Sequence, residues 1–145
     1  MVSLSTDEAR RFAERAAAVL ATDPRVRLVY LFGSAADPDV QRARDVDLGV
    51  STDPPLNARE LLELRTALVN AVGAPIDLVS LDRAPVVLAK EVADYGLCLH
   101  AEPPEAEVEF VTRARSRYWD FKPFLEVQHR YAGERQAARR NGPQA

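Results

Sequence analysis

The chain has a single cysteine, Cys98, so it can form neither an internal disulfide nor a cysteine-based zinc site. The neighbours of that cysteine, YGLCLHA, place it in a buried strand, a structural position. No apolar run approaches the roughly 18 to 20 residues of a membrane span, and the N-terminus, MVSLSTDEARRF, lacks the basic-then-apolar layout of a signal peptide. A cytoplasmic protein with no membrane partner is the expectation. Histidine is scarce, and His100 and His129 have no partner at ligand spacing. A basic excess is also missing: the formal net charge of -3 argues against nucleic acid as the main ligand. The charge is unevenly spread, with 11 basic and 19 acidic residues up to Thr112 but 8 basic and 3 acidic from Arg113 onward. An acidic body carries a basic tail, which suits nucleic acid, an acidic partner surface or a solvated helical face.

What is present is enough for one core. With 145 residues, 47% of them hydrophobic, the chain supports a single globular unit. Ser5 and Glu8 stand at capping-box spacing, and Ala9, Phe12, Ala13, Ala16 and Leu20 recur at three and four residues, which predicts a helix from about Thr6 to Ala21. VRLVYLF (26–32) and DVDLGVS (from Asp45) read as strands with a loop between them. Asn57 and Glu60 cap a second helix with Leu61, Leu64, Leu68 and Val72 on one side and Gly73 at its end. APIDLVSLD predicts a third strand, APVVLAKEVADYG a third helix and LCLHA a fourth strand. After Pro103-Pro104 the pattern is helical to about Arg140, broken or kinked near Pro123, with NGPQA frayed. The fold class is α/β (α+β): a small mixed sheet flanked by helices, divided into a core, residues 1–103, a helical C-terminal extension of the same domain, 104–140, and a tail, 141–145.

Chemistry concentrates in YLFGSAADPDVQRARDVDLGV. Asp45 and Asp47 lie two apart on a strand and project to one face, leaving Val46 and Leu48 for the core. Two adjacent carboxylates repel, and a divalent cation relieves them; Mg²⁺ suits hard oxygen ligands completed by water and phosphate. Asp77 stands among aliphatic residues in PIDLVSL, a costly place for a charge. If its strand lies beside the second, the three carboxylates form a triad for two Mg²⁺ ions, which would clamp the attacking and leaving oxygens of a displacement at phosphorus. Gly33 allows close backbone approach to a phosphate, and Ser34 adds a hydroxyl and amides, so the ligand is expected to be a nucleoside triphosphate.

Gly33-Ser34, ten residues from Ala35 to Arg44, then Asp45-Val46-Asp47 resembles the signature of the minimal nucleotidyltransferases of the DNA polymerase β-like superfamily. PIDLVSLDRAPVVLAKEVADYGLCLHA is similar to the part of those proteins that supplies the third carboxylate, and RYWDFKPFLEVQHRY to the helical tail of their antitoxin branch. The resemblance implies an ATP- and Mg²⁺-dependent adenylyltransferase that silences a cognate HEPN-type RNase toxin by transferring AMP to a tyrosine, in a possible hetero-oligomer with it. It also implies that Gly33 and Ser34 hold the triphosphate and that Asp45, Asp47 and Asp77 are the catalytic metal ligands. In that scheme Asp77 holds the metal nearest the attacking hydroxyl and helps accept its proton.

Many relatives continue Gly-Ser with a small residue and Ala-Arg-Gly, where this chain has Ala35-Ala36-Asp37-Pro38. Arg42 or Arg44 is then the basic residue left to approach the phosphates, with Asp37 opposing them. Two other functions fit the same residues: neutralisation of the toxin by binding alone, and small-molecule nucleotidyl transfer with a pocket lent by the tail or a second subunit. Tyr118, Trp119, Phe121 and Phe124 recur at roughly helical spacing, and packing against the body is the first expectation for them; an exposed partner-binding face is the sharper alternative.

Overall fold

Helices begin where the sequence supplies caps. In the computed structural model, which describes residues 4–140 and side chains as far as Ala137, α1 (Thr6–Ala21) starts at Ser5, whose hydroxyl accepts from the Glu8 backbone N–H at 3.2 Å. The expected frayed tail, 141–145, lies outside the described residues. A complete capping box between Asn57 and Glu60 opens α2 (Ala58–Val72), and Gly73, left-handed at φ 74, closes it. The third helix, α3 (Val86–Tyr95), starts after Pro85.

The chain pairs Leu4–Ser5 (β1) with Arg42–Ala43 (β3) in a small antiparallel ladder. The main sheet holds β2 (Val26–Phe32), β4 (Val46–Thr52), β5 (Ile76–Ser80) and β6 (Leu97–Ala101) in the order β5-β4-β2-β6. Only the β4–β5 pair is parallel. Such a pair needs a crossover, and α2 provides it.

Alternation along the strands sorts side chains to two faces. Val29, Leu31, Val46, Leu48, Val50, Ile76 and Leu78 join Leu68 and Val72 of α2 and the alanine-rich side of α1 in the larger core. Ala9, Ala13, Ala16 and Ala17 are small enough to bring α1 close to the sheet, so their burial reflects packing distance more than apolar volume. The opposite face carries Leu28, Tyr30 and Leu81 against Val92 of α3 and Phe110 of the last helix, α4 (Glu105–Arg140). Tyr30 and Phe110 meet at a tilt of 47°, with ring centroids 5.3 Å apart.

Three expectations change here. The last helix runs unbroken through Pro123. Pro123 is exposed, so the carbonyl that loses its amide partner there is open to water, and the interruption is cheaper than it would be in a core. Trp119, Phe121 and Phe124 do not pack on the body; they are exposed, and only half-buried Tyr118 meets it, under Lys90 of α3 at 4.9 Å. Ala114 is the last buried residue of α4 among those described, so the second half of this helix projects beyond the domain. Finally, Cys98 is half-buried on the edge strand β6 rather than enclosed, although burial still pushes its thiol up to about 11. His100 is likewise half-buried on β6, and His129 is exposed on α4.

Candidate active site

Register places the site. Phe32 at the end of β2 pairs with Asp47 on β4, and Asp47 pairs in turn with Asp77 on β5. Partners on neighbouring strands share a face about 4.8 Å apart, so Asp47 and Asp77 are adjacent, with Asp45 just before β4. Asp45 and Asp47 are half-buried, while their neighbours Val46 and Leu48 are fully enclosed in the larger core.

Burial raises the Asp47 carboxyl to about 6, and the negative charges of Asp45 and then Asp77 push it the same way. Among the described residues no cation lies within ion-pairing distance of any of the three, and none of their side chains takes part in a hydrogen bond. The site is short of positive charge.

Asp77 departs from its expected environment. It is exposed, not embedded, because Ile76 and Leu78 turn into the α1/α2 core and leave Asp77 on the open side of edge strand β5. The aliphatic run around it is one buried face of an alternating strand. Arg65 of α2 steadies this strand by donating to the Ile76 carbonyl at 2.8 Å.

Gly33 has φ +74, and a Cβ built on it would stand 2.4 Å from Asp47 Oδ2. Both the backbone conformation and the close carboxylate require glycine. A 3-10 turn, Gly33–Ala36, follows immediately and carries half-buried Ser34. Arg10 of α1 holds this turn by donating to the Ala35 carbonyl at 3.3 Å, a contact with no local sequence signal.

Asp37 also has a local role. Its carboxylate accepts from the Asp39 backbone N–H at 2.9 Å and shapes the loop. Thr6 then pins the loop's far end, its hydroxyl to the Val40 carbonyl at 2.6 Å and its amide to the Gln41 carbonyl at 3.0 Å. Arg44, exposed between β3 and β4 and adjacent to Asp45 in sequence, makes no ion pair among the described residues.

The donor set suits a hard cation: carboxylates on one face, a half-buried acid pushed up by burial and by its acidic neighbours, and a glycine that leaves space beside it. No group of three or more carboxylate, imidazole or thiol side chains among the described residues converges closely enough to hold a metal ion unaided. A cation arriving with phosphate oxygens fits this arrangement better than a resident ion in a closed cage.

A glycine turn leads from β2 into a short helical turn beside the carboxylates of Asp45 and Asp47, the arrangement expected of a nucleotidyl-transfer site. The chain belongs to the Polymerase beta, Nucleotidyltransferase family, whose model matches residues 14–105. All six candidate residues, Gly33, Ser34, Arg44, Asp45, Asp47 and Asp77, lie inside that match, and α4 beyond its first residue, Glu105, lies outside it. Within the family the chain is a homologue of the protein adenylyltransferase MntA of Shewanella oneidensis, 32% identical over 95 residues, which are 66% of this chain and 68% of that one. It is also similar to a toxin–antitoxin crystal structure with AMP-PNP, at 26% identity and TM-score 0.73, over 82% of this chain and 97% of the other. A complex of tri-AMPylated Shewanella oneidensis HEPN toxin with MNT antitoxin shares the fold at 22% identity and TM-score 0.61, over 83% and 98% of the two chains. No helix among the described residues is long and apolar enough to cross a membrane.

Proposed function

We propose that this chain transfers AMP from ATP to a tyrosine hydroxyl of a HEPN-type RNase toxin in the cytoplasm, and thereby silences the toxin. The observation that carries this reading is the placing of Asp47 between Gly33 on one side and Asp77 on the other. Gly33 and Ser34 take the triphosphate through backbone amides and the hydroxyl, and Arg44 offsets its charge. Asp45, Asp47 and Asp77 would hold two Mg²⁺ ions. When bound, Mg²⁺ neutralises charge on the phosphates and the carboxylates. The toxin's tyrosine oxygen forms a bond to the α-phosphorus as the bond from that phosphorus to the bridging oxygen breaks, and pyrophosphate leaves. Exposed Asp77 faces the incoming protein and accepts the phenolic proton. The core, residues 1–103, performs the transfer, and the extension, 104–140, docks the acceptor through its exposed aromatic residues.

The test uses the two purified proteins with Mg²⁺ and ATP labelled on either the α- or the γ-phosphate. Label should reach the toxin from the α-phosphate alone. Transfer from the γ-phosphate would make the protein a kinase and end this reading. A second reading, neutralisation by binding alone, is favoured by the lack of a closed metal cage among the described residues. It predicts a silenced toxin that carries no label.

A further inference from the structure

A cavity of about 710 Å³ opens beside the phosphate turn, between the loop from Phe32 to Val40 and the end of α3. It shares Gly33 and Ser34 with the carboxylate site, and Asp47 lies directly behind that glycine. The volume lies within the range of about 300 to 1,000 Å³ that suits a small ligand. Its charge decides which part of a nucleotide belongs there. Asp37, Asp39 and Glu91 line it, and no lysine or arginine does. Away from the Gly33–Ser34 turn phosphate is therefore repelled, whereas hydroxyl and amine donors are accepted. The remaining wall is apolar, and Tyr95 is its largest exposed ring.

Tyr95 is 76% exposed and makes no hydrogen bond through its side chain among the described residues. Its backbone position, by contrast, is fixed. Gly96 donates to the Val92 carbonyl at 2.8 Å, and the next residue, Leu97, pairs with Leu31 on β2, two residues before Gly33. The ring is thus anchored at the sheet end that carries the phosphate turn. A second cavity, of about 430 Å³, does carry arginines, Arg27, Arg113 and Arg117, but it also includes Ser51 and Thr52 at the far end of β4, away from the carboxylates.

We infer that Tyr95 is the platform on which the base of the nucleoside triphosphate stacks, with Asp37, Asp39 and Glu91 accepting from ribose hydroxyls or an exocyclic amine. The inference rests on the nucleotidyl-transfer reading and adds a residue that holds the base. Aromatic stacking is sequence-tolerant in shape but contributes substantially to affinity, so loss of the ring should weaken ATP binding roughly ten- to a hundredfold.

The experiment measures the affinity of the full chain for ATP, in Mg²⁺, in the wild type, Tyr95→Phe and Tyr95→Ala. Inorganic tripolyphosphate serves as a probe with no base. Tyr95→Phe should bind ATP within about twofold of wild type and Tyr95→Ala at least about tenfold more weakly. Tripolyphosphate should bind all three alike, which a folding defect would not allow. ATP binding by Tyr95→Ala within about twofold of wild type would overturn the assignment, as would an equal loss in Tyr95→Phe. If the wild type binds tripolyphosphate but gains nothing from the nucleoside, the base platform fails while the phosphate site stands. If it binds neither, both readings fall.

Discussion

Asp47→Asn should stabilise the metal-free protein while abolishing transfer. The Asp47 carboxyl sits at about 6 in the fold against an ordinary value of 3.8, so folding holds a proton that the unfolded chain has released. The native state is therefore penalised once this group ionises: stability is fully present below about pH 3.8 and is lost as pH rises through about 6. Two units correspond to about 3 kcal/mol as a ceiling. Half-burial and solvent screening reduce that, and a gain of about 1 to 2 kcal/mol is expected for the neutral amide at pH 7.5. For a chain of this size that is a rise in Tm of roughly 2 to 10 °C.

The assay is thermal unfolding of both proteins with chelator present, from pH 4 to 8. The advantage of Asp47→Asn should be largest at pH 7.5 and close to zero near pH 4. Adding Mg²⁺ with a non-hydrolysable ATP analogue should then raise the wild type and leave the variant nearly unmoved, because the charge that penalises the apo fold is the one that binds. An Asn variant no more stable than wild type at pH 7.5, or an advantage that does not change with pH, would refute this account of the site.

Other perturbations read different parts of the structure. Gly33→Ala forces a Cβ to within 2.4 Å of the Asp47 carboxylate at positive φ, so transfer should fall about a hundredfold or more in a steady-state assay, with a stability loss of about 1 to 2 kcal/mol. Asp94, on α3, is held below the ordinary carboxylate range first by its hydrogen bond from Lys90, against the opposing effect of burial, and then by Arg115 of α4. Asp94→Asn should cost about 0.5 to 1 kcal/mol near neutral pH, and the difference should shrink as pH falls through the depressed native value, below 3.8. A paired Trp119→Ala/Phe124→Ala change should leave Tm within about 2 °C, since both side chains are exposed, yet weaken the toxin complex at least tenfold in a titration.

Local chemistry was readable wherever it was local in cause. Ser5, Asn57 and Gly73 announced helix ends because capping depends on residues within a few positions. Gly33-Ser34 and Asp45-Val46-Asp47 announced the candidate site, because strand alternation puts both carboxylates on one face and Gly33 lies against Asp47. The β1–β3 ladder was not readable, since two-residue strands have no periodicity and exist only through their pairing. The exposure of Asp77 depended on which face of β5 remained open, a consequence of how α1 and α2 cover the sheet. Arg10 and Tyr95 reach the site from α1 and the end of α3, and no spacing in the sequence links them to Gly33. The aromatic residues of α4 show the same limit. Helical spacing identified a face, but only the structure showed that the domain ends before it.

The most direct test of adenylyl transfer is the intact mass of the toxin after incubation with this protein, ATP and Mg²⁺, beside an Asp45→Asn/Asp47→Asn control. The account predicts added mass in whole AMP units with the wild type and none with the control. An unmodified toxin that is nevertheless bound and inhibited would contradict it and leave neutralisation by binding in its place.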